Sequence, residues 1–305
     1  MKALISGVCG QDGWYLSDLL VSKGYEVIGT RRGNEEPAET PPGIEVVFGD
    51  VSDAMCIRDV VEKHRPDEIY NLAAITHVGD SFSAMAAAFQ VNAGGAAACL
   101  DAGARVGAKV YQASTSELFG ATAPPQNEDS LMQPRSPYAC AKLAAYWLTR
   151  NYRDRGVFAC NGILFNHESP RRGGGFVTQK VARAVAAIKA GKQDHVTLGN
   201  LDACRDWGHA ADFVRAMWLV MQQDKPGDYV VATGNMRSIR DLCEVAFSHV
   251  GLNYRKYVRS SDEFKRPLEV EKLCGDASRI RALGWVPHIG FETMIKEMVD
   301  AASEQ

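Results

Sequence analysis

The N-terminal segment constrains the fold more than any other part of the chain. An apolar strand is predicted at Lys2–Ser6, and three glycines follow it, at Gly7, Gly10 and Gly13, before a helical pattern over residues 14–23. Glycine lets a backbone approach a pyrophosphate closely, and a helix N-terminus offers unpaired N–H groups and the positive end of its dipole. The first two glycines are three residues apart rather than two, so this is a variant of the usual dinucleotide fingerprint. The strand–turn–helix context favours a phosphate cradle over a simple tight turn.

Strand and helix patterns alternate through the first half of the chain. After the first pair, the predicted strands cover residues 25–30, 46–48, 68–72, 109–113 and 160–165, and the predicted helices cover 54–64, 84–104 and 136–153. Such alternation favours right-handed βαβ units and a parallel sheet with helices on both faces. We therefore expect an α/β protein with a Rossmann-type, doubly wound parallel sheet.

The second half is less regular. Helices are predicted over residues 176–190, 210–222 and 239–250, and short strands over 196–198 and 229–232. We expect residues 1–165 to form mainly a dinucleotide-binding domain and residues 166–305 mainly a smaller, substrate-binding region. Some elements, about 205–250, are expected to return to the first domain.

Two short motifs carry the candidate chemistry. Ser114-Thr115-Ser116-Glu117 precedes a helix in which Tyr138 and Lys142 are four residues apart and so share one face. A free tyrosine is a poor base because its pKa is about 10, and a neighbouring ammonium is expected to lower that pKa. Such a tyrosine could remove an alcohol proton while hydride leaves the same carbon. Many surface helices carry Tyr and Lys at this spacing, so the prediction rests on the glycine turn and the upstream motif as well.

The end of the second predicted strand bears on cofactor choice. Arg31 and Arg32 stand where folds that bind NAD usually place an acidic residue for the ribose 2′-hydroxyl, and a guanidinium suits a 2′-phosphate instead. NADP is therefore expected, although a solvated basic pair is the alternative. Asp50, after the third strand, could accept a hydrogen bond from the adenine amino group. The small residues of Leu72-Ala73-Ala74 could let the cofactor lie close to the backbone.

Composition excludes several classes of function. The net charge of −3 gives no electrostatic reason to expect nucleic acid or an anionic membrane as a partner. The chain contains no apolar run long enough to span a bilayer and no signal-type segment, so a cytoplasmic protein is expected. Its 8 cysteines are dispersed, as in a reducing compartment. Because no His, Cys or Asp cluster has the spacing of metal ligands, no metal is expected.

With these motifs placed, the chain resembles the extended short-chain dehydrogenase/reductases that modify nucleotide sugars, and among them the GDP-mannose 4,6-dehydratases. The resemblance covers nearly the whole length. Its most specific part is the run NHESPRR at residues 166–172. The other runs that carry it are GVCGQDG at 7–13, PDEIYNLAA at 66–74, YQASTSELFG at 111–120, RSPYACAK at 135–142, GNLDACRDWGH at 199–209 and RPLE at 266–269.

The resemblance implies a mechanism. Tyr138 would take the C4 hydroxyl proton as hydride moves to NADP⁺, and Lys142 would stabilise the phenolate and bind the nicotinamide ribose. Glu117 would remove the C5 proton made acidic by the new C4 ketone, water would leave from C6, and hydride would return to C6. Thr115 would hydrogen-bond the C4 oxygen. A simple dehydrogenase needs no carboxylate at the position of Glu117.

The resemblance also assigns binding residues. Besides Lys142, those implied for the cofactor are Gly7, Val8, Gly10, Gln11, Asp12, Gly13, Arg31, Arg32, Asp50, Val51, Leu72, Ala73, Ala74, Thr76, His167 and Arg172. Those implied for the GDP-sugar are Ser81, Asn166, Lys180, Arg205, Arg266 and Glu269. Guanidinium groups suit pyrophosphate oxygens, and a carboxylate suits the donor edge of guanine or a ribose hydroxyl.

Partner and substrate remain open at this stage. The resemblance implies a homodimer or homotetramer, but the loop after Arg32, which in the family helps bind the 2′-phosphate and reaches a neighbouring subunit, is short in this chain. The same dehydration on another GDP-sugar, such as a GDP-manno-heptose, fits the same motifs. A nucleotide-sugar epimerase or reductase and a catalytically silent NADP-binding sensor are the further alternatives. The presence of Glu117 argues against the epimerase and reductase, and the intact set of catalytic residues argues against the sensor.

Overall fold

The computed structural model describes residues 1–33, 39–261, 268 and 270–304. Within them a parallel sheet of seven strands has the order β3-β2-β1-β4-β5-β6-β10. This confirms the expected Rossmann-type α/β fold, because the strand order reverses between the adjacent strands β1 and β4. The strands are β1 (Lys2–Ser6), β2 (Glu26–Arg31), β3 (Glu45–Phe48), β4 (Glu68–Asn71), β5 (Lys109–Thr115), β6 (Ala159–Leu164) and β10 (Asp228–Val231).

Helices cover both faces of this sheet. Along β1, Ala3 and Ile5 belong to one buried apolar cluster and Leu4 to another, as alternation along a strand requires. Helices α1 (Gln11–Ser22) and α7 (Ala210–Met221) pack together on the first face. The second face carries α2 (Ala54–His64), α4 (Gly95–Val106) and α5 (Pro137–Asp154).

The predicted helix over residues 84–104 is one continuous helical path of three parts. It starts as α3 (Met85–Phe89), passes through a π-helical turn at Gln90–Gly94 and continues as α4. The Asn92 side chain in that turn bonds both polar atoms of the Ile75 backbone, N at 2.9 Å and O at 3.0 Å. The helix thereby holds the segment after β4 in place.

A second body of structure stands over the carboxyl ends of the central strands. Helices α6 (Val177–Lys189), α8 (Ile239–His249) and α10 (Phe291–Ser303) enclose a separate apolar cluster. Two small sheets complete it in the described residues, β11-β9-β7 and β12-β8. Their strands are β7 (Asn166–Glu168), β8 (Val196–Leu198), β9 (Cys204–His209), β11 (Met236–Ser238) and β12 (Val258–Ser260), and the short helix α9 (Ser278–Arg281) packs on β10.

Sequence patterns located the first half better than the second. The predicted elements of residues 1–165 are present, with ends that differ by up to three residues. The predictions omitted α9, α10, β7, β9, β11 and β12. Three of these strands have only three residues, too few for alternation to register, and β9 buries Arg205 and Asp206, which no apolar pattern marks. No helix among the described residues has both the length and the apolar composition to cross a membrane.

Candidate functional site

A cavity of about 260 Å³ lies between the carboxyl ends of the central strands and the second body of structure. In doubly wound sheets this edge, near the point where strand order reverses, is where ligands bind. The cavity brings together twelve of the predicted site residues: Asp12, Leu72, Ala74, Thr76, Thr115, Glu117, Tyr138, Lys142, Asn166, His167, Arg172 and Arg205. They come from segments far apart in the chain, so only the fold makes them neighbours.

The glycine turn is shaped for close approach of backbone segments. Gly7 has φ +71°, and a Cβ there would lie 2.9 Å from the Cα of Ala73. At Gly13 a Cβ would lie 2.6 Å from both the Cα and the O of Val8. Gly10 is the N-cap of α1 and provides no side-chain cap, so the first helical turn is open to a ligand's oxygen atoms. These features fit the pyrophosphate of a dinucleotide.

Other predicted cofactor residues surround this turn. Val8 is buried against Gly29, and Val51 is buried against Gly95. Both valines therefore pack the segments that follow β1 and β3 against the rest of the domain. Arg31 ends β2, and Arg32 follows it. The Asp50 carboxylate accepts hydrogen bonds from the hydroxyl and the backbone N–H of Ser52, at 2.7 and 2.9 Å. The Ser52 hydroxyl bond lowers the Asp50 pKa most, partial burial opposes it, and the Arg32 charge adds a smaller lowering effect.

Tyr138 is held at the start of α5 by local hydrogen bonds. Ser136 is the N-cap, and its hydroxyl accepts from the N–H of Ala139 at 3.1 Å, while Pro137 occupies the first helical position. The Tyr138 N–H donates to the Ser81 hydroxyl at 3.2 Å, and that hydroxyl donates to Val78 O at 2.7 Å. Ser81, which was predicted to bind substrate, is fully buried, and its hydroxyl is hydrogen-bonded to two backbone groups of the protein.

The tyrosine ring lies beside both residues of the upstream motif. Burial raises the Tyr138 pKa to about 12, a side-chain hydrogen bond with Thr115 opposes this, and the Glu117 carboxylate adds to the rise. Glu117 is 9 % exposed, lines the cavity, and donates its N–H to the Thr115 hydroxyl at 3.2 Å. A hydroxyl, a phenol and a carboxylate thus converge on one small space.

Lys142 lies one helical turn from Tyr138, as predicted, but the Tyr138 pKa is not below its ordinary value. Its ammonium donates to Ala113 O at 2.9 Å, and burial lowers its pKa to about 8. The Tyr138 pKa is raised rather than lowered in the protein by itself, because burial is the largest influence on both groups. The lowering effect of Lys142 on the tyrosine stays a prediction.

Asp12 and His167 form a second ionisable pair. The His167 Nε2 lies 2.8 Å from Asp12 Oδ2, and its Nδ1 lies 2.8 Å from Phe165 O. Carbonyl and carboxylate oxygens only accept, so both ring nitrogens donate and the imidazolium form satisfies the site. Burial favours the neutral form of each partner, but the mutual attraction outweighs it, so the pKa of His167 is raised and that of Asp12 is lowered.

Gln11 fastens this pair to the rest of the site. Its amide donates to His167 O and to Asp12 Oδ1, each at 3.1 Å, and its carbonyl oxygen accepts from Ser169 Oγ at 2.9 Å. The His167 ring also stacks on Phe213, with centroids 4.5 Å apart. The predicted contact of His167 with a cofactor remains a prediction, and both ring nitrogens already have protein partners.

Sequence reasoning missed the neighbours that hold Arg172. Its Nε lies 3.0 Å from Glu168 Oε2, and its guanidinium lies 3.5 Å from the centroid of the Phe176 ring. Thr178 Oγ1 donates to the same Glu168 oxygen at 2.7 Å. Glu168 belongs to the NHESPRR run, so its position in that motif was the available signal. His77, also missed, lines the cavity and packs edge-on against Phe176.

The predicted substrate residues are spread along the second body of structure. Arg205 is 7 % exposed, lines the cavity and donates to Cys204 O at 2.9 Å. Lys180 donates to Thr197 O at 2.8 Å, and Asn166 lines the cavity. Arg266 and Glu269 lie outside the described residues. Within the part of the chain that is described, no group of three or more His, Cys, Asp or Glu residues is placed to hold a metal ion.

The chain matches known protein sequences over nearly its full length. The model of the family described as GDP-mannose 4,6 dehydratase matches residues 4–298. GDP-mannose 4,6 dehydratase 2 of Arabidopsis thaliana is 47% identical, over 98% of this chain and 86% of the relative. The Yersinia enterocolitica GDP-mannose 4,6-dehydratase is 42% identical over 100% and 94%, and the Homo sapiens protein is 41% identical over 99% and 91%.

Solved structures with the same fold are more distant in sequence. UDP-glucose 4-epimerase of Thermus thermophilus in complex with NAD has a TM-score of 0.88 at 24% identity, with 99% of each chain covered. The dTDP-glucose 4,6-dehydratase DesIV of Streptomyces venezuelae, with NAD and TYD bound, has a TM-score of 0.87 at 24% identity, covering 100% and 97%. RMD from Pseudomonas aeruginosa, complexed with NADPH, has a TM-score of 0.84 at 22% identity, covering 100% and 99%.

Proposed function

This chain belongs to the GDP-mannose 4,6-dehydratase family, and we propose that it converts GDP-mannose to GDP-4-dehydro-6-deoxymannose. One observation carries the proposal: the Glu117 carboxylate shares a cavity with Thr115, Tyr138 and Lys142. The last three suit oxidation at an alcohol carbon, and oxidation alone needs no adjacent carboxylate. Removal of a C–H proton beside a ketone needs a positioned base, which Glu117 supplies.

The cofactor in this proposal is a nicotinamide dinucleotide, and NADP in particular. The glycine turn, with Gly7 against Ala73 and an uncapped first turn at Gly10, supports the pyrophosphate site. Arg31 and Arg32 at the end of β2 support NADP over NAD, since a guanidinium suits the 2′-phosphate. When bound, the cofactor would accept a hydride from C4 and later return it to C6.

The chain's own residues move the protons. Tyr138 accepts the proton of the C4 hydroxyl, and the oxidised nicotinamide's positive charge would offset the burial that raises the Tyr138 pKa. Thr115, hydrogen-bonded to Tyr138, is placed to donate to the C4 oxygen as negative charge develops on it. Glu117 takes the C5 proton and is then the acid that can protonate the departing C6 hydroxyl.

The second body of structure would hold the GDP-sugar. Arg205, within the cavity lining, and Lys180, on α6, are the cations proposed for the pyrophosphate, and Asn166 is a polar neighbour of the sugar. Arg266 and Glu269 are proposed, from their place in the RPLE run, to bind the GDP-sugar as well. The proposed division is residues 1–165 for the cofactor and 166–305 for the substrate, with elements of about 205–250 returning to the first domain.

We also propose a homo-oligomer in the cytoplasm. Apolar side chains are exposed along neighbouring helices: Phe82, Met85 and Phe89 at and around α3, and Trp147, 55 % exposed, on α5. A helix face of this kind suits burial against a second copy of the chain. The dispersed cysteines suit a reducing compartment.

The first test is to incubate the purified protein with GDP-mannose and catalytic NADP⁺ and to measure the mass of the nucleotide sugar. We expect the loss of one water without net accumulation of NADPH. Stoichiometric NADPH would instead indicate a dehydrogenase and contradict the role of Glu117. Intact binding of an unchanged GDP-mannose would move the proposal to another GDP-sugar, such as a GDP-manno-heptose.

The second test isolates the carboxylate. Glu117→Gln should reduce water loss by about 10²- to 10⁴-fold, the usual contribution of a general acid–base group, while single-turnover hydride transfer from C4 persists. Glu128→Gln is the matched control, because Glu128 is a buried carboxylate that accepts from Val230 N, outside the cavity lining. Unchanged dehydration by Glu117→Gln would contradict the mechanism.

A further inference from the structure

A chain of buried polar groups crosses the centre of the sheet at the inner edge of the cavity. Ser6 Oγ donates to Asn71 Oδ1 at 2.7 Å, Asn71 Nδ2 donates to Gln112 Oε1 at 2.7 Å, and Gln112 Nε2 donates to Ala113 O at 2.9 Å. The Ser6, Asn71 and Gln112 side chains are at most 2 % exposed. The bonds therefore join β1, β4 and β5 side by side, out of contact with solvent.

The direction of every bond in this chain is determined at both ends. Ser6 Oγ accepts from Leu72 N and Ala73 N, each at 3.1 Å, so its proton is left to donate to Asn71. At the other end Ala113 O can only accept, so Gln112 must present its NH₂ group there and its oxygen to Asn71. One arrangement of the amides satisfies all of these groups, and a flipped amide would leave buried atoms unpaired.

This series of hydrogen bonds ends at the carbonyl oxygen of Ala113, which also holds the catalytic lysine. Lys142 Nζ donates to the same Ala113 carbonyl oxygen, at 2.9 Å. The ladder between β4 and β5 ends at the pair Asn71–Gln112, so the Ala113 peptide lies one residue beyond it. Ala113 remains paired with Gly162 of β6, and its carbonyl oxygen accepts from two side chains, the Gln112 amide and the Lys142 ammonium.

We propose that Gln112 is a positioning residue for Lys142, which acts through the Ala113 carbonyl. Together with Asn71 and Ser6 it fastens the lysine to the backbone at Leu72 and Ala73, where the cofactor is expected to lie. The proposal rests on the proposed function only for the step that Lys142 serves.

Gln112→Leu removes the two hydrogen bonds that the Gln112 amide makes, to Asn71 and to Ala113 O, and leaves Lys142 present. We expect kcat to fall about tenfold or more with the KM for GDP-mannose changed less than about threefold, since the interaction serves the reacting step rather than sugar binding. Gln126→Leu is the matched control: Gln126 is fully buried and bonded at both ends of its amide, to Thr122 O and Cys274 N, without touching Lys142. It should keep kcat within about twofold. Equal kcat values for the two variants would overturn the proposal.

Gln112→Glu adds a signature that a purely structural role would not produce. In its protonated form the introduced carboxyl group can accept from Asn71 and donate to Ala113 O as the amide does, whereas its ionised form repels the carbonyl oxygen. The kcat of this variant should therefore approach the wild-type value at low pH and fall as the new carboxyl ionises. A kcat–pH profile of Gln112→Glu that coincides with the wild-type profile would contradict the proposal. This test does not depend on whether Gln112→Leu folds.

NADPH affinity separates this proposal from the proposed function. If wild-type protein does not dehydrate GDP-mannose, the proposed function fails, but NADPH binding measured by fluorescence still reports on Lys142. Gln112→Leu and ionised Gln112→Glu should then bind NADPH more weakly than wild type, and Gln126→Leu should not. Equal NADPH affinity in all four proteins would overturn the positioning role.

Discussion

Two ionisable pairs face the same cavity and respond to burial in opposite ways. In the pair Tyr138 and Lys142, desolvation prevails, so the tyrosine pKa is raised to about 12 and the lysine pKa is lowered to about 8. In the pair Asp12 and His167, contact at 2.8 Å outweighs desolvation, so both pKa values move toward the charged forms.

The difference indicates what each pair is for. Asp12 and His167 neutralise each other, and with Gln11 they link α1 to the segment after β6. Lys142 has a carbonyl as its partner and Tyr138 has a hydroxyl, so neither is compensated by an opposite charge within the pair. A bound nicotinamide in its oxidised, cationic form would supply the positive charge that a Tyr138 phenolate lacks in the protein alone. We infer that the Asp12–His167 pair stabilises the fold and that Tyr138 and Lys142 are available to a ligand.

The largest effect should come from Tyr138→Phe, which removes the proton acceptor. We expect kcat for GDP-mannose dehydration to fall about 10³-fold, with NADPH binding retained. Tyr146→Phe is the control, since Tyr146 is buried on the same helix and bonds Asp228 at 3.1 Å, away from the cavity. A similar loss of activity in both variants would mean that the helix, not the phenol, is responsible.

Lys142→Met should inactivate the protein and also stabilise it. The lysine pKa lies at about 8 against an ordinary 10.5, so the folded state binds fewer protons than the unfolded state between those values and stability rises with pH there. Removing the ammonium should thus raise the free energy of unfolding at pH 7 by up to about 3 kcal/mol, at 1.4 kcal/mol per unit. The gain should vanish near pH 10.5.

Urea unfolding at several pH values measures this effect. The control is Lys109→Met, at a partly buried lysine that donates to a backbone carbonyl, Met221 O, at 2.8 Å and lies outside the cavity lining. A Lys142→Met protein less stable than wild type at pH 7 would show that the hydrogen bond to Ala113 outweighs the cost of burial.

Asp12→Asn should lower the free energy of unfolding, in contrast to Lys142→Met. The aspartate contributes stability above its ordinary pKa of 3.8, and His167, with a raised pKa, contributes stability below its ordinary 6.5 that is lost as pH rises through the folded value. We expect a loss of about 2 kcal/mol near pH 6, the size of a charged hydrogen bond, shrinking in alkaline buffer.

The matched control for this pair is on the surface. His249 Nε2 lies 2.6 Å from Asp300 Oδ1, with the aspartate side chain 63 % exposed. Asp300→Asn should change stability by less than about 1 kcal/mol, as exposed ion pairs do. Equal effects of the two substitutions would remove the contrast between buried and exposed pairs.

The smallest effect concerns the support of Tyr138. Ser136→Ala removes the N-cap of α5 and should cost about 1 kcal/mol of stability, with a larger fractional loss in kcat because the first turn carries the tyrosine. Ser238→Ala, at the capped start of α8, is the comparison. It should cost a similar amount of stability and leave kcat unchanged. Loss of kcat in both would point to global unfolding.

Much of this arrangement could be predicted from local sequence. Gly7, Gly10 and Gly13 after an apolar strand, and the spacing of Tyr138 and Lys142, depend on steric demands and helical periodicity that act within a few residues. In the structure Tyr138 and Lys142 line the cavity together with Asp12 of the glycine turn. By contrast, α10 was missed although Met294, Ile295, Met298 and Val299 form an amphipathic pattern, and β9 was missed because its buried residues include charged ones.

The amino-acid sequence by itself determined the parallel sheet, the place of the glycine turn and the residue types for catalysis, because these follow from periodicity and covalent geometry. Only the tertiary structure decided the protonation preferences and partners of those residues. Burial of Tyr138 and Lys142, the contact of Asp12 with His167 over 155 positions, and the bonds from Ser6 to Ala113 all join segments distant in the chain. Desolvation and charge pairing depend on what surrounds a group in space, and no local pattern records it.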